Sequence, residues 1–240
     1  LALLGLRRHT GVMGWERLAD NWHDVRRRMA DASARAGRDA NSVRLVAVTK
    51  RTPLEWSAQL ARLGQLDQGE NYPQDLWDKA VLLPNFPIQW HLIGHLQTNK
   101  VRRTFPLVTL VHAVDSLRLL LAINRYASET DSHPRVLLQV NTSGEASKHG
   151  WSPDAILEDA DEVARIDHVD IAGLMTMAAP VPGQARPAFA RLREVRGDLA
   201  KRTHLALPEL SMGMSGDFED AILEGATIVR VGSALFEGLA

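Results

Sequence analysis

The sequence predicts a single closed (β/α)8 barrel of the TIM type, with one extra helix on its N-terminal side. Three observations predict it. Short apolar, β-branched runs alternate with helix-like patterns along almost the whole chain, the order that builds a parallel sheet covered by helices. Several runs are apolar at successive positions, as strands buried on both faces should be. Polar or small residues (Lys50, Glu70, Asn71, Gly94, Asp115, Asn141, Thr176, Ser215 and Gly232) fall at or just after the C-terminal ends of those runs. In a closed barrel these ends converge on one mouth, whereas an open sheet brings only a few of them together.

Taken in order, residues 1–14 read as a flexible extension. Their apolar part, Leu1 to Leu6, is too short for the core of a secretion signal, and no small-residue cleavage site follows it. From Trp15 to Ala36, Leu18, Trp22, Val25 and Met29 recur with helical spacing, and Gly37 stops the helix. Strands are then expected at Val43–Val48, Ile88–Ile93, Leu107–Val111, Val136–Val140, Val169–Leu174 and Thr227–Val231. Leu66–Gly69 and Glu209–Met212 are weaker strand candidates, the first because LDQGEN carries two acids and a glycine. Helices are expected at Leu54–Leu63, Gln74–Leu83, Gln97–Thr104, Leu117–Ser128, Pro153–Arg165, Gln184–Lys201 and Phe218–Leu223. No low-complexity linker divides the chain, so residues 15–240 are expected to form one domain.

Composition narrows the function classes. A chain of 240 residues suits one α/β barrel. A net charge of −1 gives no long-range pull toward nucleic acid or a membrane surface. No apolar run approaches the roughly 18 residues that span a bilayer. The absence of cysteine excludes disulfides, thiolate catalysis and Cys-ligated metals, and it suits a cytoplasmic location.

The chemistry-bearing residues cluster at the two ends of the sequence. Ser215-Gly216 and Gly232-Ser233 are small-residue turns after the last two strands, and each leaves backbone N–H groups open to an anion. Lys50 ends the apolar run LVAVTK. A lysine drawn into a partly apolar mouth is desolvated and available to form an imine, although a strand-end lysine usually snorkels to water. An imine-capable lysine on the first strand opposite a phosphate cradle on the last two points to an aldehyde that carries a phosphate. Arg230 lies inside the final apolar run, where a guanidinium needs acceptors. A ligand and a structural pair with Asp217 or Glu224 are both open partners. His91 and His95 are spaced i, i+4, but Trp90–Gly94 reads as strand and turn, so no metal is expected there. Met175 and Met177 read as core filler, and Lys100, Arg102 and Arg103 as a solvated helix face.

The segments LVAVTK, QGENY, WHLIGHLQTNK, VDS, QVNTSGEASKHG, GLMTM and LSMGMSGDFEDAILEGATIVRVGSALF stand here in the order found in the pyridoxal phosphate homeostasis proteins, the proline-synthase-co-transcribed family. The resemblance runs from about Val43 to Phe236. It implies a barrel like the N-terminal domain of alanine racemase, with pyridoxal 5′-phosphate held as an internal aldimine. By motif, Lys50 is the Schiff-base lysine, and Met214, Ser215, Gly216, Gly232 and Ser233 hold the phosphate. Arg230 faces the pyridine nitrogen, Asn71 lies beside the ring, and His91 lines the same mouth. Lys148 is the first suspect for a secondary contact. The family commonly has threonine at the position of Ser233, and serine keeps the hydroxyl.

Whether such a protein is a carrier or an enzyme turns on the ring nitrogen and on a second acid/base group. Strong electron-sink enzymes place a carboxylate at the nitrogen, whereas an arginine there accepts no proton. Barrel racemases resemble this chain only in their first domain, and a second domain brings a catalytic tyrosine. The tyrosines here are Tyr72 and Tyr126. The expectation is therefore a non-catalytic carrier that hands pyridoxal phosphate to apo-enzymes, and the resemblance implies a monomer. The alternatives are a racemase-like enzyme, a scaffold with a vestigial site, and a Schiff-base aldolase using Glu70 or Asp115.

Overall fold

Eight parallel strands close in sequence order into a barrel: β1 (Arg44–Val48), β2 (Asp67–Glu70), β3 (Gln89–Leu92), β4 (Leu110–Val114), β5 (Arg135–Gln139), β6 (Asp170–Met175), β7 (Glu209–Ser211) and β8 (Ile228–Val231). β8 pairs back onto β1, with Val46 opposite Arg230. The computed structural model describes residues 12–145, 149–179, 181 and 183–239. Helix α1 (Val12–Arg35) precedes the barrel. The covering helices are α2 (Leu54–Arg62), α3 (Pro73–Leu82), α4 (Val101–Thr104), α5 (Leu117–Thr130), α6 (Pro153–Glu158), α7 (Ala160–Ala164), α8 (Ala185–Thr203) and α9 (Phe218–Leu223). No helix among the described residues is long and apolar enough to cross a membrane.

Local chemistry sets the boundaries. Ser116 caps α5 by accepting from the Leu119 N–H, and Ser152 caps α6 with Pro153 at its first position. Asp159 separates α6 from α7 where the sequence suggested one helix, and its carboxylate accepts from the Trp151 indole at 2.8 Å. The fourth strand starts three residues later than the apolar run suggested, because Phe105-Pro106-Leu107 winds into a 3-10 turn. His112, one residue past the expected end at Val111, therefore lies inside the strand.

Helix α1 begins at Val12, so residues 12–14 of the expected flexible extension are helical, and residues 1–11 lie outside the described residues. Gly14 is used for close packing: a Cβ there would sit 3.2 Å from Trp56 of α2. Leu18, Val25 and Met29 bury the apolar face. Asn21 Nδ2 then donates to the carbonyls of Leu235 and Glu237, and Arg28 bonds Glu219 of α9. The extra helix thus binds the two chain-distant ends of the barrel wall.

Two cores result. A large one fills the space between sheet and helices, and a small one fills the barrel, where Val46, Leu110, Leu137, Ala172 and Ile228 meet. Polar side chains are also buried between the sheet and its covering helices, and β2 shows how. Its Glu70 is fully buried, and Oε1 accepts from Thr49 Oγ1 at 2.6 Å and from Lys79 Nζ at 2.7 Å. Lys79 also donates to the Thr49 carbonyl at 2.7 Å. Lys79→Met is expected to cost about 3–5 kcal/mol, because it leaves a buried carboxylate uncompensated. Urea denaturation measures this, with Glu70→Gln added to Lys79→Met recovering most of the loss. A single-variant loss under about 1 kcal/mol would show the pair to be idle.

Candidate functional site

A cleft of ≈ 440 Å³ opens at the C-terminal ends of β1, β2, β3, β6, β7 and β8. It collects every site residue read from the sequence except His91: Lys50, Asn71, Met214, Ser215, Gly216, Arg230, Gly232 and Ser233. The closed sheet does this by making β8 a neighbour of β1, so residues 50 and 232 share one rim.

The two turns face each other. Ser215 Oγ accepts from the backbone N–H groups of Gly232 (3.2 Å) and Ala234 (3.3 Å), so two amides converge on one oxygen. That is the donor geometry an anion's oxygen needs. Gly213 makes the first turn possible, with φ +92° and no room for a Cβ beside Ala221. Gly232 brings the second turn against Val48, where an added Cβ would meet atoms at 3.3 Å. At Gly216 a Cβ would meet nothing within 4 Å, so that residue borders open space and offers its N–H rather than steric relief.

Arg230 is 4% exposed and reaches into the barrel. Its Nη1 donates to Ser211 Oγ at 2.7 Å and its Nη2 to the Thr176 carbonyl at 2.9 Å. It takes part in no ion pair among the described residues. Glu224 is held by Arg186 and Arg193, and Asp217 accepts from the Met214 N–H. Of the two partners left open by the sequence, the structural pair is therefore not formed. Burial pulls the Arg230 guanidinium down to about 10, against a smaller opposing effect of Asp217, and leaves it cationic at neutral pH. Burial likewise raises the Asp217 carboxyl.

Two expectations need correction. Lys50 is exposed at the rim rather than desolvated in an apolar mouth. The preceding Thr49 takes the buried position and bonds Glu70, which leaves Lys50 beyond the strand end. His91 does not line the cleft. It is fully buried within the barrel, with Nε2 2.9 Å from Asp67 Oδ1 and Nδ1 2.8 Å from His112 Nε2. Depth along the strand is the cause: His91 pairs with Gly69 and sits one layer below Ile93, which points the same way and does reach the cleft.

The sequence reading missed Val48, Ile93 and Met177 as cleft residues, and it placed Gly94 at the mouth without giving it a part in the site. For Gly94 a signal existed. A Cβ there would lie 2.2 Å from the Asn71 carbonyl, so this glycine lets the β3 loop close over Asn71. Met177 was read as core and instead sits where the barrel interior meets the cleft. Both acids considered for an aldolase are committed elsewhere. Glu70 is paired with Lys79, and Asp115 Oδ2 lies 2.7 Å from His95 Nδ1 in a separate pocket. His149 stacks on His95 with ring centroids 5.3 Å apart. Lys148 lies outside the described residues.

An amine just past β1, a buried guanidinium on β8 and two facing small-residue turns meet in one cleft at the mouth of a (β/α)8 barrel. The family model for the N-terminal domain of alanine racemase matches residues 16–239. A pyridoxal phosphate homeostasis protein of Aquifex aeolicus is 39% identical over 214 residues, covering 88% of this chain and 94% of the relative. A solved protein from Bifidobacterium adolescentis, of unknown role, superimposes with a TM-score of 0.87 at 37% identity, covering 94% and 97% of the two chains. PipY of Synechococcus elongatus, solved with pyridoxal phosphate bound, superimposes with a TM-score of 0.79 at 32% identity, covering 91% and 99%. The chain belongs to the family of pyridoxal phosphate homeostasis proteins, within the alanine racemase N-terminal-domain class.

Proposed function

We propose that this protein binds pyridoxal 5′-phosphate in the mouth cleft, attaches it to Lys50 and passes it to apo-enzymes without significant turnover of its own. The observation that carries the reading is the convergence of Lys50, Arg230 and the Ser215/Gly232 cradle in one cleft. PipY, solved with this cofactor bound, supports it. The cradle's converging amides and a cation at the inner wall fit a phosphate at one end and a ring nitrogen at the other. The unprotonated Lys50 amine adds to the aldehyde carbon, a water leaves, and the imine masks a reactive group. Gly216, Ser233 and Met214 border the phosphate end, and Asn71 lies beside the ring.

Arg230 only donates hydrogen bonds, so a pyridine nitrogen facing it accepts one and stays unprotonated, which weakens the cofactor as an electron sink. Neither tyrosine serves as a second acid/base group. Tyr72 is exposed outside the cleft lining, and Tyr126 stacks on Phe105. The protein acts as a one-domain, cytoplasmic monomer.

Incubating the loaded protein with each common amino acid in deuterated water tests the non-catalytic part. No exchange of the α-proton beyond that given by free cofactor is expected. Rapid exchange with one amino acid, lost in Lys50→Ala, would establish a racemase-like enzyme instead.

A further inference from the structure

A chain of hydrogen bonds crosses the barrel from the cleft to the opposite face. Arg230 Nη1 donates to Ser211 Oγ at 2.7 Å, and Ser211 Oγ lies 2.8 Å from His112 Nδ1. His112 Nε2 lies 2.8 Å from His91 Nδ1, and His91 Nε2 lies 2.9 Å from Asp67 Oδ1. The five residues come from β8, β7, β4, β3 and β2. Ser211, His91 and His112 are fully buried. Asp67 begins β2 and lines a cavity of ≈ 410 Å³ at the barrel floor, whereas Arg230 lines the cleft at the mouth.

With both imidazoles neutral, the two ends set the order of the protons between them. A guanidinium only donates, and a carboxylate only accepts. Ser211, accepting from Arg230, gives its own hydrogen to His112 Nδ1. His112 then carries its hydrogen on Nε2 and gives it to His91 Nδ1. His91 in turn carries its hydrogen on Nε2 and gives it to Asp67. Each link is used once, both imidazoles are neutral, and all bonds point the same way, an arrangement in which neighbouring bonds polarise one another.

We propose that His112, His91 and Asp67 are positioning residues for Arg230, acting through this one directed chain of hydrogen bonds. Asp67 thereby serves as the remote counter-charge of a buried cation that has no ion-pair partner of its own among the described residues. A proton added at the floor reverses the lower part of the chain. With His91 doubly protonated, its Nδ1–H faces His112, and the His112 hydrogen moves to Nδ1 and points at Ser211. Ser211 then accepts from both His112 and Arg230, and its hydroxyl hydrogen loses its acceptor. Burial, His91, Arg230 and Arg44 all oppose a charge on His112 itself.

The charged groups around the chain come from β1, β2, β5, β6, β7 and β8 and from the turn after β7. Arg44 on β1 lies 4.0 Å from both Asp67 and Glu209. Arg135 on β5 pairs with Asp170 on β6 and Glu209 on β7. Arg230 on β8 senses Asp217. The three acids of this floor ring, Asp67, Asp170 and Glu209, outnumber Arg44 and Arg135, so the proton-accepting end lies in a mixed-charge belt that keeps one negative charge in excess.

What Arg230 positions rests on the reading of the cleft as a cofactor site; the proton order does not. The first test therefore uses the cofactor-free protein with nitrogen-15-labelled histidine, read by NMR at pH 7.5. The signals of His91 and His112 are assigned from His91→Gln and His112→Asn. Both rings are expected neutral with the hydrogen on Nε2. A cationic ring, or a hydrogen on Nδ1, would overturn the proposal. Asp67→Asn replaces the acceptor-only end and is expected to move the His112 signals, although Asp67 does not touch His112, while Asp67→Glu restores them. Unmoved His112 signals would likewise overturn it.

The second test follows pyridoxal phosphate retention and the pH profile of its visible band. Asp67→Asn, at the far end of the barrel, is expected to shift the profile and weaken retention on the order of two- to thirtyfold, with rescue by Asp67→Glu. An unchanged profile and retention in Asp67→Asn would show that the chain does not reach the cleft. A parent protein that takes up no cofactor would fail the functional reading alone, and the histidine signals would still decide the proton order.

Discussion

Lys50→Ala is expected to abolish the visible absorption of the loaded protein and its borohydride-fixed label while leaving the fold intact. Lys50 is the only lysine among the described residues that lines the cleft. Lys79 is engaged with Glu70 and the Thr49 carbonyl, and Lys201 lies beside Asp198 in the last turn of α8. Because Lys50 is exposed, its truncation should change stability by no more than about 0.5 kcal/mol. The cradle and Arg230 remain, so weak, non-covalent uptake should persist. Absorbance, reduction followed by peptide mapping, and a thermal melt read the three expectations. An undiminished band would sink the assignment, and the mapped peptide would name the lysine responsible, with Lys148 the first to check.

Replacing both Ser215 and Ser233 by alanine should weaken cofactor retention far more than either single change. A hydrogen bond to a charged group contributes about 1.5–3 kcal/mol, so each hydroxyl accounts for roughly tenfold to a hundredfold. The structure shows why Ser215→Ala alone should be softened. Its Oγ occupies the point on which the Gly232 and Ala234 amides converge, and those amides stay in place for a phosphate oxygen. The double variant removes both hydroxyls and should lose on the order of a hundredfold to ten-thousandfold. Equilibrium dialysis against pyridoxal phosphate measures this, and retention equal to the parent would place the cradle elsewhere.

The sequence showed clearly what is written as apolar periodicity and less clearly what is written as polar pairing. β1, β5 and β6 read directly, because their runs are apolar on both faces and four or more of their residues are buried. β2 read weakly because DQGE is polar throughout, and it is a strand because Thr49, Lys79 and Ser57 satisfy its side chains from elsewhere in the chain. The start of β4 was misplaced for a local reason, the turn at Pro106. Most of the cleft was legible because strand ends and small-residue turns mark it. His91 was misplaced because residue type does not reveal depth. Only the register, with His91 opposite Gly69, shows that it sits one layer below the mouth. Arg230 was legible as a buried cation, but its bond to Ser211 and the onward bond from Ser211 to His112 were not, since nothing local in the sequence joins positions such as 112 and 211, 99 residues apart.

The fastening of α1 bears on how the chain is made. Asn21 bonds the carbonyl of Leu235, a partner 214 residues later in synthesis. At about 5–20 residues per second, a ribosome delivers that partner roughly 10–40 s after the helix emerges. During that interval Leu18, Val25 and Met29 have no finished wall to cover them, and the ring of strands waits for β8 to join β1. The nascent chain is therefore an expected client for holding chaperones until β8 and Leu235 have emerged, and the interval from α1 to Leu235 sets how long it stays vulnerable.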